Sequence, residues 1–282
     1  MAREIRTMRA AALEALGSFR FYEFAPFAWI LAAELLVLGL AMNLGTTAGM
    51  ATAGWLTERL AGDRPLHYPD FYRFLPNLIT NIEAILFLVA GSVLIPLAII
   101  RILRPIDPAS FPERETGARV RQAVLPVLIG ALICLALIVG WQWVLHQRAV
   151  EGTIRTFARG FAGSAVVAAL GMLVGYAVWT FFVFVPVVAV QPGRSPGSAI
   201  GSGLRAASQN FFPVYLVVVG LSLPAAAMLL VLQVMGNFLV GQIRPEIIGV
   251  LVGIYVVCSM FATFFIYAAA ARLYQAQQAE AA

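Results

Sequence analysis

The chain has 282 residues, 61% of them hydrophobic and only 12% charged, with a formal net charge of +5. A soluble domain is roughly half apolar and about a quarter charged, so a mean hydropathy of +0.87 excludes an ordinary soluble fold and makes lipid the expected solvent. All the cations are arginine, with no lysine anywhere, a usage that fits a GC-rich bacterial genome. The arginines sit beside apolar runs, which points to anionic headgroups rather than nucleic acid as their partner.

In chain order, the first predicted element is an amphipathic helix over residues 2–22. Ile5, Met8, Ala12, Leu16 and Phe19 recur at helical spacing and define one apolar face. Arg3 and Glu14 lie opposite, while Arg9 and Arg20 flank the face and can snorkel to headgroups, as Arg6 can. This pattern predicts a helix lying in the interface. A span follows over Phe27–Gly45. Ala51-Thr52-Ala53 imitates a leader-cleavage site, but the segment before it is long and carries Glu4, Glu14 and Glu23, so a leader is not expected. Residues 46–78 read as a long loop ending in an aromatic run, Tyr68 to Phe74, suited to the headgroup belt.

The second span, Ile79–Leu103, contains Pro96. Its linker carries a helix-start signature, Ser110 with Pro112 and Glu113, leading into Arg119 and Arg121. The third span is Ala123–Leu145, with Trp141 and Trp143 as interface anchors, and a short loop (146–163) leads to the fourth, Ala165–Val190, which contains Pro186. Ser195-Pro196 opens a third surface helix presenting Ile200, Leu204 and Phe211, with Arg205 on another face, although Gly197, Gly201 and Gly203 weaken it. Pro213–Gly236 and Ile247–Ala271 complete six runs, each near the ~20 residues that cross a hydrocarbon core. Kinks are expected at Pro96, Pro186 and Pro224.

The fold class is therefore all-α: a polytopic membrane protein, one transmembrane domain over 1–282. The spans group into three hairpins, roughly 1–104, 105–192 and 193–282, with amphipathic interfacial helices on the cytoplasmic side. Each hairpin follows an arginine-bearing segment and a leading proline, Pro26, Pro126 or Pro213, read as sitting at a helix start. With the N-terminus inside, Arg3, Arg6, Arg9, Arg20, Arg101, Arg104, Arg114, Arg119, Arg121, Arg194, Arg205 and Arg272 are cytoplasmic, twelve against seven outside. That bias places both termini in the cytoplasm.

The stretch Val185-Pro186-Val187-Val188, Ser198-Ala199 and Leu204-Arg205-Ala206-Ala207-Ser208-Gln209-Asn210-Phe211-Phe212 resembles a linker of bacterial six-helix inner-membrane proteins. Those are the membrane domain attached to some glycerophosphodiester phosphodiesterases and the uncharacterised YciC-like family. The resemblance covers the last two hairpins. It implies a fold and a location in the bacterial inner membrane, not hydrolysis, since the chain has no room for the soluble phosphodiesterase domain.

Glu34 is the most informative residue. It lies eight residues past Pro26, about 12 Å into its span, where a carboxylate costs at least ~2.5 kcal/mol unless neutralised or paired. A protonated or hydrogen-bonded acid is expected, facing the bundle. It is either a proton or cation site or an interior acid bonded to a neighbour such as Ser92 or Thr263. Glu83, with Asn77 and Asn81, reads as a wet vestibule or a helix-start carboxylate. Glu34, Glu83 and Asn81 are thus the candidate intramembrane polar site; Arg3, Arg6, Arg9, Arg20, Arg119, Arg121 and Arg205 are the candidate lipid contacts. Cys134 and Cys258 read as packed thiols, and His67 and His146, the only histidines, give no supported metal or haem site. No catalytic, cofactor or phosphate-binding motif is found. The expected function is a non-enzymatic membrane component without cofactor: a subunit, assembly or lipid-organising protein, partnered by lipids and by other membrane subunits or its own copies. The alternative is a transporter or the permease of an ATP-driven exporter.

Overall fold

A computed structural model describes residues 2–44, 70–147, 152, 161–242 and 246–281. Its elements are α1 (Ala2–Gly17), α2 (Phe21–Leu44), α3 (Asp70–Val89), α4 (Gly91–Leu103), a single 3-10 turn (Glu113–Glu115), α5 (Thr116–Leu145), α6 (Phe161–Phe182), α7 (Phe184–Ala189), α8 (Pro196–Gln209), α9 (Phe211–Gln242) and α10 (Glu246–Ala281). No strand occurs among the described residues. Five helices are long and apolar enough to cross a membrane, and the bent pair Leu75–Val89 with Gly91–Leu103 makes a sixth when taken as one span. The protein is an all-α polytopic membrane protein. Trp29, Leu36, Leu40, Leu132, Leu137 and Leu223 point outward, a lipid-facing belt that water would not tolerate.

The pairs α2 with α4, α5 with α6, and α9 with α10 pack along one another. One end is tied by arginines. Pro26 lacks the N–H that the Tyr22 carbonyl would otherwise receive, and Arg101 Nη1 donates to that carbonyl at 2.9 Å, its guanidinium 4.3 Å from the Tyr22 ring. Arg272 pairs with Glu14 at 3.0 Å and donates to Ser18, fixing α1 to α10. Asn210 and Gln277 exchange amide hydrogen bonds, 2.8 Å in the better direction, closing the α8–α9 corner onto the tail of α10. Beneath this layer lies an aromatic cluster, with Phe24 stacked on Phe261 at 4.6 Å and Phe264 set edge-on to Phe24 at 5.4 Å.

Several elements differ from the sequence expectation. Pro26 and Pro126 lie inside α2 and α5, because α2 begins at Phe21 and α5 takes in the end of its linker from Thr116; Pro213 does stand in the first turn of α9. The second linker before Thr116 is a turn and one 3-10 turn rather than a helix, because Arg104 gathers the Phe111 carbonyl and the Thr116 hydroxyl around itself. Residues 70–78 belong to α3, not to a loop. The buried face of α1 is Met8, Ala11 and Ala15, packed on α9 and α10. Leu13 and Leu16 stay exposed beside Arg9, so α1 has a protein face and, turned from it, an apolar face carrying Arg9; Phe19, past the end of α1, packs instead on Phe24 and Phe264.

One span is sharply bent, and a second carries a one-residue interruption without a comparable bend. At Ala90 the chain turns by 65° between α3 and α4. Val93 N–H bonds Ala90 rather than Val89, and the Ser92 hydroxyl takes the released Val89 carbonyl at 2.7 Å. Between α6 and α7 the interruption is Val183 alone, whose backbone stays helical and whose N–H still bonds the Trp179 carbonyl at 3.1 Å; Pro186 leaves the Phe182 carbonyl without its helical donor, and Ala165–Ala189 runs on as one span. Every residue of α7 is buried. It lies against α8, whose Gly203 admits it: a Cβ at Gly203 would stand 2.8 Å from Val185 Cα.

Candidate intramembrane cavity and acid pair

A cavity of about 260 Å³ opens where the bent span α3–α4 and the α6–α7 junction meet α5 and α10. Glu83, Ala84, Phe87 and Leu88 come from α3, Ile95 from α4, and Phe182, Val185 and Pro186 from the α6–α7 junction. Helix α5 contributes Val127, Gly130, Ala131, Cys134, Leu135 and Ile138, a stripe at helical spacing. Helix α10 contributes Ser259, Thr263 and Tyr267, and Trp179 packs edge-on to Tyr267 at 6.3 Å. The bend positions this site: a continuous helix past Ala90 would not bring Glu83 and Ile95 to the same wall.

Glu83 is buried and oriented. The Tyr255 hydroxyl donates to its Oε2 at 2.6 Å, and the Ser259 hydroxyl to its Oε1 at 2.5 Å. Glu34 is fully buried, facing the bundle, yet neither of its carboxyl oxygens has a hydrogen-bond partner among the described residues. Its carboxyl lies within electrostatic reach of Glu83 and of Tyr255. Around them stand Tyr176, bonded to Ser222, so that side chains of α2, α3, α6, α9 and α10 converge. No arginine pairs with either acid among the described residues.

The candidate residues are thus divided. Glu34 and Glu83 come together, whereas Asn81 is exposed on the opposite side of α3 and does not join them. The proposed partners of Glu34 are engaged elsewhere: Ser92 bonds Val89, and Thr263 bonds the Ser259 carbonyl. Arg119 is corrected from lipid contact to buried tie. It pairs with Glu115 at 3.0 Å, donates to the Val190 carbonyl, and lies 5.0 Å from the Phe111 ring, joining the start of α5 to the end of α7. Arg9, Arg20, Arg121 and Arg205 are exposed. The side chains of Arg3 and Arg6, and all of His67, lie outside the described residues. Cys134 is buried in the cavity wall and Cys258 is half-buried, both as free thiols. No cluster of three or more His, Cys, Asp or Glu occurs among the described residues.

Sequence reasoning missed Tyr255 and Ser259, although Tyr255, Ser259, Thr263 and Tyr267 recur every fourth residue and so share one face of a helix. The chain matches no family model, no curated protein and no solved structure. Its function is therefore argued from the cavity and its residues.

Proposed function

We propose that this protein is a non-enzymatic component of a bacterial inner membrane that takes a small amphipathic guest from the bilayer into the cavity beside its bent second span. The observation that carries this reading is the cavity, lined mostly by apolar side chains with Glu83, Ser259, Thr263 and Tyr267 among them. Ligand sites are typically apolar concavities with a few convergent polar groups, and buried acids within spans are costly unless used. The exposed arginines Arg9, Arg20, Arg121 and Arg205 suit anionic headgroups, and the cytoplasmic placement of both termini follows the arginine bias. The linker resemblance around residues 185–212 supports the same cellular location.

The test is native mass spectrometry of the protein released from mild detergent, beside an Ala131→Trp variant that fills the cavity. Wild type is expected to retain a small molecule that the variant loses. Equal retention by both would place bound molecules on the outer belt instead.

A transporter is the second reading, favoured by the bent span. Spans interrupted by Gly or Pro in corresponding places of two repeats mark the binding site of many carriers; here the 65° bend at Ala90 lies in the returning span of hairpin one with Pro96, and the returning span of hairpin two carries Pro186 and a one-residue interruption at Val183. Counterflow of the retained molecule in proteoliposomes separates a carrier from a static holder.

A further inference from the structure

We propose that the cavity's guest is an organic cation: an ammonium group on an apolar tail, the head held at Glu83. This rests on the guest-binding reading above and adds the chemical class of the guest.

Three observations converge on it. First, Glu83 is a cavity-wall residue whose carboxyl accepts from two hydroxyl donors, Tyr255 and the neighbouring wall residue Ser259. Charged acceptors bind such donors most strongly, so the arrangement suits a negative charge in the cavity wall. Second, the fully buried Glu34 carboxyl stands nearby with both oxygens unpartnered among the described residues, and no arginine among them neutralises the pair. Two acids with no resident cation, in apolar surroundings, leave a charge complement for the guest to supply. Third, Phe87, Trp179, Phe182 and Tyr267 share the lining with Glu83. Aromatic faces around a carboxylate are the recognition chemistry of ammonium groups, whereas an anionic headgroup would meet repulsion from the acids and the negative faces of the rings. The volume of about 260 Å³ lies near the low end for ligand pockets. It suits a compact head whose tail runs between apolar walls.

The test uses decyltrimethylammonium and its uncharged isostere with a tert-butyl head, titrated by calorimetry against the intact protein in neutral-detergent micelles. The ammonium compound is expected to bind at least about tenfold more tightly than the isostere. Glu83→Gln, which keeps one carbonyl acceptor for the hydroxyls, should erase that preference. Equal binding of the two compounds to wild type overturns the cation assignment and leaves the guest-binding reading standing. Binding of neither overturns both. A preference that survives in both Glu83→Gln and Glu34→Gln removes the acids from the site. Should Glu83→Gln fail to fold, Phe87→Leu provides the second measurement. It keeps the wall apolar and removes one ring, and the ammonium preference should fall while isostere binding holds; an unchanged preference counts against the aromatic recognition.

Discussion

Replacing the two buried acids with leucine should move stability in opposite directions. Glu34 is fully buried and both carboxyl oxygens lack partners among the described residues. A polar group buried without hydrogen bonds costs about 1–3 kcal/mol on the protein scale. Leucine is close in volume, so Glu34→Leu removes that penalty without opening a cavity and should stabilise by about 1–3 kcal/mol. Glu83 differs because it accepts from Tyr255 and Ser259. Glu83→Leu strands both hydroxyls. Ser259 can turn back to a carbonyl of its own helix, but the Tyr255 hydroxyl cannot, so the expected loss is about 1–3 kcal/mol. Both values are read from reversible unfolding in mixed micelles as the denaturing detergent fraction rises. A Glu34→Leu variant destabilised by more than about 1 kcal/mol would show that Glu34 has a partner in the membrane, and would refute the reasoning. The stabilised variant should also bind the ammonium guest more weakly, the usual exchange of function for stability at a strained site.

Gly203→Val should destabilise by about 1–3 kcal/mol, because the new Cβ meets Val185 backbone at 2.8 Å, while Gly197→Ala, with nothing within 4 Å of its Cβ, should be neutral or slightly stabilising; thermal unfolding in detergent reads both. Arg119→Gln removes the buried tie to Glu115 and the Val190 carbonyl and should cost about 1–3 kcal/mol, whereas Arg121→Gln at an exposed site should leave the unfolding midpoint unchanged. Asp107 accepts the Ser110 N–H at 3.0 Å, and the Ser110 bonds hold its carboxyl below the usual aspartate range. A depressed folded value means its contribution is present above the ordinary aspartate range and lost as pH falls through the folded value, so Asp107→Asn should flatten a small acid-side slope in the stability profile.

The spans, the amphipathic N-terminal segment and the isolation of Glu34 from lipid were legible because each rests on periodicity or on the cost of burying charge. The bend was half legible. Pro96 and Pro186 announced kinks, but the 65° turn falls at Ala90, six residues before Pro96, and depends on Ser92 capping Val89. Arg119 looked like its exposed neighbour Arg121. Only the approach of α7 to the start of α5 distinguishes them, and that contact joins residues 71 positions apart. The Tyr255 and Ser259 stripe was readable as a face. Its pairing with Glu83 across more than 170 positions follows from packing alone. The faces of α1 were misjudged for a related reason: small residues such as Ala11 and Ala15 make a close helix contact as readily as large ones, and hydropathy does not rank them.

Photolabelling inside the bilayer tests the guest-binding cavity most directly. A membrane-partitioning alkylammonium carrying a diazirine on its tail is activated in proteoliposomes, and its attachment sites on α5 are mapped by mass spectrometry. That helix separates the two outcomes, since Ala131, Leu135 and Ile138 line the cavity while Leu132, Ile133 and Leu137 face outward. Labelling is expected at Ala131, Leu135 and Ile138, and Ala131→Trp should abolish it. Labelling confined to Leu132, Ile133 and Leu137, unchanged by that substitution, would contradict the guest-binding reading.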